Sequence, residues 1–151
     1  MDRVILFIQR ILVDLWMRIR HLHREIEEER VEGLPNRLWR NVQRIAVCWP
    51  SEGMDISAAM LILQRLRERF PNASITVIAL PGVGASIPVG WDVEVINVQK
   101  TDLNGLRFPN SRFRSYLRER NYDTFLDLYP RYDPICVYYG FVICARLRIG
   151  F

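Results

Sequence analysis

Apolar and polar positions follow two regimes along this chain. Over residues 4–22 they repeat at helical spacing: Val4, Ile5, Ile8, Ile11, Leu12, Leu15, Trp16, Ile19 and Leu22 share one face. Arg3, Arg10, Asp14, Arg18 and His21 collect on the other. The pattern predicts a long amphipathic helix continuing through HREIEEER to about Glu32. The apolar stretch is too short, and too interrupted by Gln9, Arg10, Asp14 and Arg18, to span a bilayer. It also lacks the apolar run and cleavage site of a signal peptide. Two uses stay open: packing against its own domain or a protein partner, or lying on a membrane surface through residues 3–22. In the second, Phe7 and Trp16 sit at the interface and the arginines face anionic lipid. Gly33-Leu34-Pro35-Asn36 ends the helix, so a unit of residues 1–36 precedes a domain over 40–151.

From Arg44 the regime changes to short apolar runs alternating with helical stretches. Arg44–Trp49, Ser74–Leu80, Val93–Val98, Thr124–Tyr129 and Arg148–Phe151 read as strands. Ile56–Phe70, Ser111–Arg120 and Ile135–Leu147 read as helices, the first with Asp55 as N-cap and Ala58, Leu61, Ile62, Leu66 and Phe70 as its inward stripe. Strands separated by helices pair in parallel through right-handed crossovers. The expected fold is α/β, a Rossmann-like three-layer α/β/α sandwich with five parallel strands in the order 3-2-1-4-5. Ligands in such sheets collect at the carboxyl ends of the strands. That directs attention to loops 50–55, 81–90, 99–110 and 129–134.

Composition narrows the function classes. Half the residues are hydrophobic, enough for a buried core and too many for intrinsic disorder. The net charge of +4 is too weak and too scattered to call for nucleic acid. Lys100 is the single lysine among 21 basic residues; arginine's planar fork suits phosphates and carboxylates, but a GC-rich coding bias gives the same skew. Cys48, Cys136 and Cys144 show no CxxC spacing, so neither a disulfide framework nor a zinc site is expected, and the setting reads as reducing and cytoplasmic. His21 and His23 stand two apart and diverge on a helix, which argues against a metal site built from them.

The candidate chemistry lies in the first strand–helix loop. Asp55 is placed to take a proton from a substrate hydroxyl or merely to cap the helix, and Ser51, Glu52 and Gly53 beside it are candidate substrate contacts. Asp127, in TFLDLY, either lines the mouth of the sheet or ends a strand. The PGVGAS segment at 81–86 lacks the third glycine and the lysine of a phosphate loop and reads as a turn. Arg112, Arg114, Arg118 and Arg120 form a basic helix surface, open to solvent or to an anionic ligand. No Ser/His/Asp or Cys/His triad can be assembled within the α/β section.

Three segments in series carry a resemblance. RIAVCWPSEGMDISAAMLILQRLRERFPNASITVIAL, Tyr122-Asp123-Thr124-Phe125-Leu126-Asp127-Leu128 and Ala145-Arg146-Leu147-Arg148-Ile149-Gly150-Phe151 together resemble the ADP-heptose:lipopolysaccharide heptosyltransferases, glycosyltransferase family nine. The similarity spans roughly residues 43–151, and the family's Gly-Asp stands here as Gly53-Met54-Asp55. The resemblance implies the acceptor-binding N-terminal domain of a GT-B glycosyltransferase, with metal-independent heptose transfer to the lipopolysaccharide inner core and Asp55 as general base. It further implies peripheral attachment to the cytoplasmic face of the inner membrane. The segments match the acceptor domain alone, so catalysis by this chain by itself is not expected. The expected partners are a lipopolysaccharide-type acceptor and a protein that supplies a donor domain, with no cofactor. The alternative is a noncatalytic, membrane-peripheral module that docks on a larger assembly.

Overall fold

The central strand is a short apolar run, RIAVCW, and the fold is built outward from it. In the computed structural model, residues 41–49, 56–81, 91–129 and 133–150 are described, together with the helical residues 7, 8, 11, 12 and 15. The chain divides into two compact units, Met1–Arg40 and Asn41–Phe151. In the first, Phe7, Ile8, Ile11, Leu12 and Leu15 are helical and expose their apolar side chains. The rest of the predicted amphipathic helix and its Gly33–Asn36 break lie outside the described residues. Among the described residues no helix is long and apolar enough to cross a membrane.

In the second unit, strand β1 (Arg44–Trp49) buries every residue after Arg44, as a parallel strand covered on both faces must. Helix α1 (Ile56–Arg69), β2 (Ser74–Ala79), β3 (Glu94–Asn97), a 3-10 turn at Lys100–Asp102, α2 (Ser111–Glu119), β4 (Thr124–Asp127), α3 (Pro134–Ile143) and β5 (Leu147–Ile149) follow. All pairings are parallel, with Val47 opposite Val77 on one side and Leu126 on the other. The order β3-β2-β1-β4-β5 is the one the alternation predicts, with the reversal of direction at β1.

Strand alternation sorts the core into two layers. Ile45, Val47, Trp49, Ile75 and Val77 pack with Ala59, Leu63 and Leu66 of α1. Ala46, Cys48, Ile78 and Phe125 pack with Phe113 and Leu117 of α2 and Cys136, Tyr139 and Val142 of α3. Three layers result: α1, the sheet, and the α2–α3 pair.

The expected inward stripe of α1 is corrected by this packing. Ala59, Leu63 and Leu66 face the sheet, Phe70 is half-buried, and Ala58, Leu61 and Ile62 lie on the exposed side. The end of α3 is also corrected. The helix stops at Ile143 because Cys144 takes a left-handed conformation (φ 55) and caps it, which frees Leu147 to pair with Thr124 in β5. Its start is fixed by Asp133, whose Oδ1 accepts from the Ile135 and Cys136 amides at 2.8 and 3.1 Å, with Pro134 following.

The YD pair that contributed to the resemblance has a structural job. Tyr122 is buried, and Asp123 Oδ2 accepts from the amides of Gln43 and Arg44, both at 2.9 Å. It ties the entry of β4 to the entry of β1. Gly150 passes so close to Asp127 that a Cβ there would lie 2.6 Å from the Asp127 Cβ, and its φ of +141° is one that side-chain-bearing residues rarely adopt.

The α2 arginines are mostly engaged in packing. Arg114 donates to the Tyr138 hydroxyl and Arg118 Nε to the Val142 carbonyl, each at 3.3 Å. Arg120 pairs with Glu94 of β3, donates to the Tyr116 hydroxyl at 2.6 Å and stacks on that ring. The Arg120 hydrogen bonds hold the Glu94 carboxyl below its ordinary range, against a smaller opposing effect of burial. A depressed carboxylate stabilises the fold above its unfolded-state pKa and loses that contribution as pH falls through the folded value. Glu94→Gln is therefore expected to lower stability at pH 7, with the deficit closing below about pH 4. Because the Glu94 side chain is 44% exposed, the deficit is at most about 1 kcal/mol. Urea denaturation of both proteins at several pH values checks it.

Candidate functional site

A cleft of about 610 Å³ opens at the carboxyl edge of the sheet, where the strand order reverses. Pro81 after β2, Lys100, Asn104 and Arg107 after β3, Tyr129 after β4 and Asp133 at the head of α3 line it. The segment after β3 is held closed by short-range bonding. Leu103 bridges Pro109, Asn104 Oδ1 accepts from the Leu106 and Phe108 amides, and Asn110 donates to the Thr101 carbonyl at 2.8 Å. Arg107 sits at the turn of this loop with φ 61, an uncommon conformation for a side-chain-bearing residue. The closed loop places Lys100 and Arg107 on one wall of the cleft.

Asp133 also lines the cleft, and its carboxylate already occupies the first amides of α3. The positive end of that helix is thus used by the protein's own anion. The positive charge in the cleft lining is that of Lys100 and Arg107 instead. Leu80, Leu103 and Ile135 make much of the remaining lining apolar, so the cleft has the make-up of a small-molecule pocket with a few placed polar groups.

The carboxyl edge carries a second group of chemistry-bearing side chains. Cys48 near the end of β1, Asp127 at the end of β4 and Cys136 in the first turn of α3 bring their Sγ and carboxylate oxygen atoms within 4.8 Å of one another. The two thiols are in S–H···S contact at 2.9 Å, and both are fully buried. Burial pushes both thiols up from their ordinary range. Asp127 Oδ1 accepts from the Tyr129 amide at 2.9 Å, while Oδ2 is buried with no hydrogen-bond partner among the described residues. Its carboxyl is pushed up to about 6, first by burial and then by the nearby charge of Asp133, with the Tyr129 amide opposing.

Of the residues singled out from sequence, Asp127 is placed at the carboxyl edge, with its carboxylate against the two thiols. Asp55, Ser51, Glu52 and Gly53 lie outside the described residues, as does the glycine segment 82–86. Sequence reasoning did not pick out Lys100, Arg107 and Asp133 as a group, nor the Cys48–Cys136 pair. The two cysteines are 88 positions apart, and spacing rules for metal or redox motifs look only at near neighbours. The available signal was topological: Cys48 shares its strand face with Ala46, and Cys136 opens the helix after the neighbouring strand. Comparison with models of known protein families, with curated proteins and with solved structures finds no match to this chain.

Proposed function

We propose that residues 40–151 form an acceptor-binding domain of the heptosyltransferase type, which holds a phosphorylated inner-core saccharide at the carboxyl edge of its sheet. The observation that carries this reading is the convergence of Lys100 and Arg107 with Asp133 on one cleft of about 610 Å³. The cations pair with phosphate or carboxylate groups on the sugar, and the Asp133 carboxylate accepts from its hydroxyls. The strand order and the serial resemblance of residues 43–151 support the same reading. On this reading the role of the domain is binding and orientation; the sugar nucleotide is held by a second domain, and Asp55 takes the proton of the acceptor hydroxyl.

The exposed apolar side chains of Phe7, Ile11 and Leu15 favour a second reading, a membrane-peripheral docking module. One titration series separates the two. Lipid-free phosphorylated inner-core oligosaccharide is expected to bind the full chain, and Lys100→Ala with Arg107→Ala to weaken binding by about tenfold or more, the usual loss for a charge-assisted hydrogen bond. No saccharide binding, or equal binding by the double variant, overturns the acceptor reading. Adsorption to anionic vesicles without any saccharide, in that case, would leave the docking module standing.

A further inference from the structure

We infer that Cys48, Asp127 and Cys136 form a binding site for a thiophilic divalent cation, zinc by its donor set, at the carboxyl edge of the sheet. The inference is independent of the saccharide cleft. Three residues from three different elements, β1, β4 and α3, bring one donor atom each to within 4.8 Å of one another. Two sulfurs and one carboxylate oxygen are a donor set that zinc accepts, leaving a fourth tetrahedral position for water or a small anion. Around one zinc ion, donor atoms stand roughly 3.3–3.8 Å apart. The thiols at 2.9 Å open, and the carboxylate closes, by distances on the scale of a small side-chain rotation.

A buried polar atom separates this cluster from an ordinary pair of core cysteines, which behave as small hydrophobes. Asp127 Oδ2 is buried beside the thiols with no hydrogen-bond partner among the described residues. A metal ion resolves this: Asp127 Oδ2 becomes a ligand. Each thiol gives its proton to solvent as its sulfur–metal bond forms. A disulfide between the thiols would explain their proximity but leave Asp127 Oδ2 without a partner.

The test uses the full chain, reduced and desalted, titrated first with cobalt(II) as a spectroscopic probe and then with zinc in competition. One equivalent of cobalt with a thiolate-to-metal charge-transfer band is expected, displaced by zinc. Cys136→Ser is expected to abolish the band, whereas Cys144→Ser, at the exposed cysteine, leaves it intact. Asp127→Asn keeps both thiols and is expected to weaken zinc binding by about tenfold or more, at least the loss seen for outer contacts; it carries the test if Cys136→Ser does not fold. No band in the reduced wild type, loss of the band in Cys144→Ser, or unchanged zinc affinity in Asp127→Asn overturns the site. Isolation as a Cys48–Cys136 disulfide whose reduced form takes up no metal overturns it in favour of a redox pair.

Discussion

Leu63→Ala is expected to lower the unfolding free energy by about 2–5 kcal/mol, whereas Leu61→Ala, two positions away on the same helix, changes it by less than about 0.5 kcal/mol. The contrast follows from exposure. Leu63 is fully buried between α1 and the sheet, and Leu61 is 55% exposed. Truncating Leu63 removes its transfer free energy and leaves a cavity against β1 and β2, which are too well packed to collapse into it. Leu61 gives up little beyond a contact with water, and alanine's helix propensity is as good as leucine's or better. Urea denaturation of the two variants side by side checks the difference. Equal losses would mean that α1 is turned about its axis relative to the description above.

The second large effect belongs to Gly140, buried in the middle of α3. A Cβ at this position would meet the ring of Phe125 in β4 at 3.0 Å. Gly140→Ala stays within about 1 kcal/mol of wild type, since the helix propensity gained offsets a small displacement of the ring. Gly140→Leu has no such compensation. Its branch must displace Phe125 or lift α3 from the sheet, and the expected loss is about 3 kcal/mol, at the upper end for overpacking. The midpoint of thermal unfolding, measured for both variants, reads the contrast. The same helix carries Cys136 and Tyr139, so Gly140→Leu is also expected to disturb the thiol cluster before it unfolds the domain.

The Leu61–Leu63 contrast also shows where sequence reasoning stops. Positions 56–63 read ISAAMLIL, with apolar side chains almost all the way round the helix. Two stripes about 100° apart fit that segment, one through Ala58, Leu61 and Ile62 and one through Ala59 and Leu63. Local periodicity cannot choose between them; contact with Val47 and Val77 does. The strands were more legible. RIAVCW and SITVIA are apolar runs bounded by turn residues, and a strand buried on both faces has no phase to get wrong. Strand order followed from the alternation of elements. The C-terminal boundary of α3 was not legible, because ICVYYGFVICARL remains apolar through the point where Cys144 turns left-handed. The site divided in the same way. Asp127 could be found from its place at the end of a strand, while its two thiol neighbours emerged only once β1 and β4 were side by side.

Strand β1 obtains its second neighbour late in the chain. One edge pairs with β2, which begins at Ser74, but the other waits for β4 at Thr124 and for the Asp123 carboxylate that binds the Gln43 and Arg44 amides. During synthesis, the central strand therefore spends the making of some fifty further residues with one side open. A fragment ending before Thr124 would present that side permanently, as an unpaired row of amides and carbonyls along Ile45–Cys48, the kind of edge that recruits strands from other chains. The order in which the ribosome delivers the pieces makes the last quarter of this domain the part that keeps its first strand from aggregating.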